Sequence, residues 1–191
     1  MTRILVLNGH PDPARHFLHA AADAYAEGAG DGGHTVRRLD VASLAFPLIR
    51  SEEQFKAGDI PPGILSAQEA IVWAEHVAVF FPLWLGDLPA HFKAFLEQVG
   101  RPGFAFTPKE HGFPKGLLKG RSARVVATVG MPAPVYTLYY RAHGVKNFKR
   151  NILELLGFHP VRYAIIGSVS GPERHRVRWL ERLRKWGMQA H

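Results

Sequence analysis

Short apolar runs of strand length recur along this chain, and a segment long enough for a helix separates each from the next. Arg3 to Leu7 (RILVL) ends in the turn signal Asn8-Gly9, and His34 to Leu39 (HTVRRL) alternates as an outer strand does. Val77 to Phe81 and Ala123 to Val129 are almost continuously apolar, and Val161 to Ile166 completes the set. Helices are expected over His16 to Glu27, over Ser66 to Ala74 with Ser66 and Glu69 as a capping box, and over Leu88 to Val99. Two more are expected over Val145 to Leu156, closed by Gly157, and over Glu173 to Trp186. Residues 42–63, punctuated by Pro47, Pro61 and Pro62, and residues 100–120 read as irregular. Strands that alternate with helices run parallel, and near-continuous apolar strands must be covered on both faces. The expected fold class is therefore α/β: a three-layer, doubly wound, five-stranded parallel sheet. The most polar strand, the second, belongs at an edge, which gives the order 2-1-3-4-5. With no internal repeat or linker, residues 1–191 read as a single domain.

That order reverses direction between strands one and three, and ligands bind outside the carboxyl ends of the strands at such a point. Composition narrows the ligand. The absence of cysteine excludes thiolate catalysis, disulfides and iron–sulfur clusters. No apolar run approaches the roughly 20 residues of a membrane span, and Met1-Thr2-Arg3 leads directly into a strand, so a cytoplasmic protein is expected. The net charge of +8 suits either nucleic acid or small phosphorylated molecules. Much of it lies in Arg174, Arg176, Arg178, Arg182, Arg184 and Lys185, interleaved with Glu173 and Glu181, which reads as a solvated helix face.

The stretch FFPLWLGDLPAHFKAFL, residues 80–96, marks the crevice most sharply. Pro82 has no amide proton for the ladder and ends strand three. Trp84, Leu85 and Leu88 follow on a loop that cannot hide them all, and a flat apolar ligand accounts for them. After strand one, Gly9 to Phe17 (GHPDPARHF) feeds a helix amino terminus, whose unpaired N–H groups and dipole attract anions. His10, Arg15 and His16 add donors and charge, so this loop reads as a phosphate site. The plainer alternative is a surface loop that happens to hold those side chains. The turn Thr128 to Tyr136 (TVGMPAPVY) offers small residues and open backbone, with His143 seven residues further on. A Tyr and a His beside one crevice can bind a developing oxyanion and pass a proton. Spacing alone favours a buried tyrosine with a satisfied hydroxyl and a solvent-facing histidine.

Other patterns lead nowhere. GAGDGG at 28–33 has the letters of a dinucleotide fingerprint but follows a helix and precedes a strand, so its glycines are expected to stop that helix. His16 and His19 lack a third ligand at metal spacing, and H-E-x-x-H, a P-loop and a G-x-S-x-G elbow are absent. No metal site is expected.

Taken together, LNGHPDP…F at 7–17, FPLWLGDLPAHFK at 81–93, TVGMPAPVY…HG at 128–144 and IG…R at 166–174 resemble the flavodoxin-fold NAD(P)H:quinone oxidoreductases of the DT-diaphorase and modulator-of-drug-activity-B type. The likeness covers nearly the whole chain and implies a flavodoxin-like sheet. It implies that His10, His16 and Phe17, with Arg15 beside them, hold the flavin phosphates. Pro82, Leu83, Trp84 and Leu85 would lie along the isoalloxazine edge, and Thr128, Gly130 and Met131 at its pyrimidine end. Tyr136 and His143 would assist hydride transfer, and Ile166 and Arg174 would meet the adenine of FAD. The implied cofactor is FAD, with FMN as the alternative, and NAD(P)H is the implied co-substrate. Hydride would pass from NAD(P)H to the flavin and then to a quinone or related electrophile by ping-pong, with Phe104 and Phe106 capping the aromatic shelf.

The resemblance also implies a homodimer, with the 100–120 and 132–144 loops near the partner; with no nucleic-acid recognition motif and no long apolar span, neither nucleic-acid binding nor membrane insertion is expected. The sequence departs from the family pattern at Arg15-His16, Leu18 and Met131, in the position of Trp84, and in a Tyr-to-His interval one residue longer. The rival reading is a regulatory or electron-transfer flavoprotein that modulates a partner such as a transporter; the basic last helix is its only support.

Overall fold

A computed structural model describes residues 1–108, 112 and 114–190. In chain order the elements are β1 (Arg3–Asn8), α1 (Phe17–Asp31), β2 (Thr35–Asp40), α2 (Glu52–Ala57), α3 (Pro62–Trp73) and β3 (His76–Pro82). They continue with α4 (Ala90–Val99), β4 (Phe106–Thr107), β5 (Lys115–Gly116), β6 (Ser122–Thr128), α5 (His143–Asn147), β7 (Val161–Ile166) and α6 (Glu173–Met188). Five strands make one parallel sheet in the order β2-β1-β3-β6-β7. Setting aside the small antiparallel ribbon β4–β5, this is the order expected from strand polarity. Among the described residues no helix is long and apolar enough to cross a membrane.

Alternation along the strands divides the core in two. Leu5, Leu7, Val77, Val79, Phe81, Val125 and Ala127 face one side, where α3, α4 and the 136–158 segment cover them. Ile4, Val6, Ala78, Phe80, Val126 and Ile166 face the other, under α1 and α6. Side chains that alternate across a strand, each set buried, are why β3 can be apolar throughout. On α4, Phe92, Phe95 and Val99 recur at helical spacing, and Phe92 packs on Phe81 with ring centroids 5.7 Å apart. Gly9 lies directly over that ring: a Cβ there would be 2.7 Å from Phe92, so the β1 turn passes only because the residue is glycine.

Several local expectations need correction. The glycines of 28–33 do not stop α1 where the sequence suggests. Gly28 is inside the helix, at a crossing so close that a Cβ would be 2.0 Å from the Arg184 carbonyl oxygen of α6. The chain leaves the helix at Gly32 and Gly33, the latter with φ of +75°. Ser66 caps nothing: α3 begins a turn earlier, with Pro62 in the first turn, where a missing N–H costs no bond. The 42–63 stretch contains α2, whose cap is Ser51 accepting from the Gln54 N–H. The 100–120 loop holds β4–β5, and its residues 109–111 and 113 lie outside the described ones. Helix spans 143–156, but its stretch Phe148–Glu154 is wound as a π-helix, and Gly157 closes it at φ +109°.

Candidate functional site

The turns that follow β1, β3 and β6 gather at the carboxyl edge of the sheet, tied to one another by backbone. The Leu83 N–H donates to the Thr128 carbonyl at 2.8 Å, and the Gly9 N–H donates to the Phe80 carbonyl at 2.7 Å. The Ser168 N–H donates to the Met131 carbonyl at 2.9 Å, joining the turn after β7 to the one after β6.

In the β1 turn, the Asn8 side chain accepts from the His10 N–H and donates to Asp40, so the loop starts in a fixed direction. Three imidazoles then cluster. The rings of His10 and His16 stack with centroids 4.4 Å apart, and His19 lies 5.2 Å from His10. The Asp12 N–H donates to Nδ1 of His10, and Asp12 also pairs with Nε2 of His16 at 2.7 Å. Burial first, and then the neighbouring His16 and His19, hold the His10 imidazole below the usual histidine range. His19 is lowered mainly by burial as well. The first turn of α1 carries no acidic side chain, so the positive end of its dipole faces the cluster, with the Asp12 carboxylate on His16 the acid beside it. The result is a pocket in which burial first, and neighbouring charge second, disfavours the charged forms of His10 and His19, a cost that a bound anion would offset.

The β3 turn is a two-residue hairpin. The Trp84 and Asp87 N–H and C=O groups exchange bonds at 2.9 and 3.1 Å, and Leu85 and Gly86 between them have φ of +49° and +84°. Positive φ at both central residues is the type I′ geometry, which a leucine adopts only under strain. Leu85 is fully exposed and Trp84 is 50% exposed, its ring edge-on to His10 with centroids 6.2 Å apart. Leu83, Leu88 and Pro82 are buried, so the apolar shelf is Trp84 and Leu85 alone.

Tyr136 lies in a π-wound turn at 135–139 and is 2% exposed. Its hydroxyl donates to the Gly86 carbonyl at 3.0 Å and accepts from the backbone of Val145 and Gly144. Burial pushes its pKa up. Arg141 and Ala142, both at positive φ without being glycine, bend the chain so that α5 meets the hairpin. There a Cβ on Gly144 would be 2.3 Å from the Gly86 carbonyl oxygen. His143 is exposed and borders, with Leu85, Gly86, Lys146 and Arg150, an open groove of about 630 Å³.

The structure thus brings together His10, His16 and Trp84, and ties Leu83 to Thr128 and Tyr136 to the hairpin. Gly130 lies exposed at the β6 turn, where a Cβ would meet nothing within 4 Å. Phe17 is half-buried against the α1–α6 core. Five residues are placed otherwise. The Arg15 guanidinium bonds Asp23 at 2.6 Å, on the side of α1, where Arg38 shares the same carboxylate. Ile166 is fully buried beneath α1 and α6, and Arg174 is exposed in the first turn of α6. Phe106 packs towards Phe55, and Phe104 against the core, neither over Trp84. Sequence reasoning missed the contribution of Asn8, Asp12 and His19 to the cluster. The available signal was His19, one helical turn after His16, a spacing that serves an anion as well as a metal. Among the described residues no set of three or more His, Cys, Asp or Glu is placed to hold a metal ion.

With this geometry in hand, the family model described as flavodoxin-like fold matches residues 2–188. An uncharacterised NAD(P)H oxidoreductase of Haemophilus influenzae is 30% identical over 169 residues, covering 86% of this chain and 83% of its own. An FMN-dependent NADH:quinone oxidoreductase of Ruegeria pomeroyi is 29% identical over 148 residues, covering 69% and 72%. The structure of an NAD(P)H:quinone oxidoreductase from Methanothermobacter marburgensis superposes with a TM-score of 0.82 at 25% identity, covering 100% of this chain and 99% of that one.

Proposed function

The chain belongs to the family of flavodoxin-like fold, and from that membership we propose that it is a flavin-dependent NAD(P)H dehydrogenase that reduces quinones or related flat electrophiles. One observation carries the reading: the imidazole cluster of the β1 turn meets the half-exposed Trp84 ring of the β3 turn in a single crevice. A flavin nucleotide needs donors for a phosphate and an apolar face for a planar ring. His10, His16 and His19 at the amino end of α1 suit the first, and the half-exposed Trp84 ring beside His10 suits the second.

The chemistry such a group supplies when bound is two-electron hydride acceptance and donation. The chain's share is binding and placement. The imidazoles would bind phosphate, and those of His10 and His19, whose charged forms burial disfavours, would take up protons beside it because an anion favours the charged form. Trp84 and Leu85 offer an apolar floor that keeps water from one face of a flat substrate. Tyr136, with its hydroxyl engaged, works as a positioning residue: it fixes the hairpin that carries Trp84. His143, exposed at the groove, is the side chain placed to hand a proton from solvent to a reduced acceptor.

FMN is the proposed cofactor in place of FAD. Ile166 keeps its side chain in the core, which leaves the adenine-side pair implied for FAD without one partner, and a relative is named as FMN-dependent. Exposed Leu138, Tyr139, Tyr140 and Val135, on the turn that Tyr136 ties to the hairpin, suit burial against a second copy, so the working form is proposed to be a cytoplasmic homodimer. The test is NADPH oxidation by the FMN-loaded chain with menadione as acceptor. Parallel double-reciprocal lines are expected; intersecting lines, or bound flavin without turnover, would contradict the reading.

A further inference from the structure

The groove beyond the hairpin apex has a composition that flavin binding does not explain. Its helical wall presents His143, Lys146 and Arg150, together with the amides of Asn147 and Asn151, which bond each other at 2.7 Å. Among the described residues neither Lys146 nor Arg150 pairs with a carboxylate, whereas their neighbour Lys149 pairs with Glu154 at 3.6 Å. Asp87, the one carboxylate among the described residues that border the groove, already accepts the Leu88 N–H at 2.8 Å. The floor is fixed by the Tyr136 bond to Gly86 and by the close seat of Gly144 on the hairpin. Exposed cations are ordinary on a basic protein. Their concentration in one groove with amide donors, outnumbering the single carboxylate of Asp87, suits a phosphate dianion.

The hairpin joins this groove to the crevice, since Trp84 at its base meets His10 and Leu85–Gly86 at its tip edges the groove. We propose that the groove holds the 2′-phosphate of NADPH, through Lys146 and Arg150, and makes this chain select NADPH over NADH. The proposal rests on the reading of the chain as an NAD(P)H dehydrogenase. A dinucleotide whose nicotinamide enters beside Trp84 extends its adenosine arm towards the hairpin. Residues 143–151 then offer it a wall of roughly 12 Å at the usual helical rise. NADH lacks the group that these cations would meet, so the gain belongs to NADPH alone.

Calorimetric titration of the full chain with 2′,5′-ADP, ADP and 5′-AMP, with no turnover involved, tests this. The expected result is at least tenfold tighter binding of 2′,5′-ADP than of either other nucleotide. That preference should vanish in a Lys146→Ala/Arg150→Ala double variant that keeps its circular dichroism and its FMN affinity. Equal affinities, ADP binding as tightly as 2′,5′-ADP, or a preference that survives in the double variant would overturn the proposal. If the preference holds but the wild-type chain oxidises no NADPH, the enzyme reading falls and the phosphate groove stands. Brisk oxidation of NADH and NADPH alike without the preference overturns the groove and leaves the enzyme reading in place.

Discussion

At the amino-terminal end of β3, His76 is 3% exposed and both ring nitrogens are engaged, Nδ1 with the Ser122 hydroxyl at 2.7 Å and Nε2 with the Tyr25 hydroxyl at 3.0 Å. At the carboxyl end of β1, His10 stacks against a second imidazole, lies near a third, and has its pKa lowered by burial and by both of them. The same residue type serves opposite ends of one sheet in opposite ways. At the sealed end both ring nitrogens of His76 are satisfied within the protein, which adds to stability. The open end accumulates groups that disfavour one another's charged forms, a local cost that a bound anion offsets. In a parallel sheet this division is general: chain direction puts loops that feed helix amino termini at the carboxyl edge, and polarity left unsatisfied there is available for a ligand.

Breaking the sealed end should have the largest effect and the least functional meaning. His76→Ala removes a partner from two hydroxyls and opens a cavity, and is expected to cost about 3 kcal/mol in urea unfolding while FMN affinity stays within twofold. Breaking the open end should do the reverse. His10→Ala is expected to weaken FMN binding about tenfold, near 1.4 kcal/mol, with less than about 1 kcal/mol lost in stability. A large stability loss there with unchanged FMN affinity would erase the distinction between the two ends.

Acid sharpens the comparison. The folded pKa values of His10 and His19 lie below the ordinary 6.5, so the unfolded chain binds more protons below that pH. Their contribution to the flavin-free protein is therefore complete above about pH 6.5 and is lost as pH falls through the lowered values. Phosphate binding favours the protonated forms, so FMN affinity should rise as pH falls from 7.5 towards 6.5, while riboflavin affinity stays flat. Paired titrations at those two pH values decide this, and parallel behaviour of the two flavins would contradict it. The smallest effect is at the hairpin. Leu85→Gly removes positive-φ strain from a side chain that buries nothing, and should leave stability unchanged or raised by up to about 1 kcal/mol, while weakening quinone affinity. A clear loss of stability would show that Leu85 is packed after all.

Strand order was legible because each strand's polarity matches its place: the edge strand β2 exposes Arg37 and Arg38, while β3 is buried throughout. Helix boundaries were less so, because Gly28 obeys a neighbour far along the chain, at Arg184, rather than its own sequence context. At the site, His10, His16 and Trp84 could be found from their position after strand ends. Arg15 could not be placed, since its pairing with Asp23 depends on which side of α1 it emerges. Tyr136 was legible as a buried, satisfied tyrosine; its partner, the Gly86 carbonyl, was not, because it depends on the positive-φ turn at Arg141 and Ala142.

Fluorescence titration of the flavin-free chain with FMN and with riboflavin asks most directly whether the two converging turns form a flavin nucleotide site. FMN should bind at micromolar concentration or below and at least tenfold more tightly than riboflavin, with the difference lost in His10→Ala. Failure to take up either flavin, or equal affinity for both, would contradict the account.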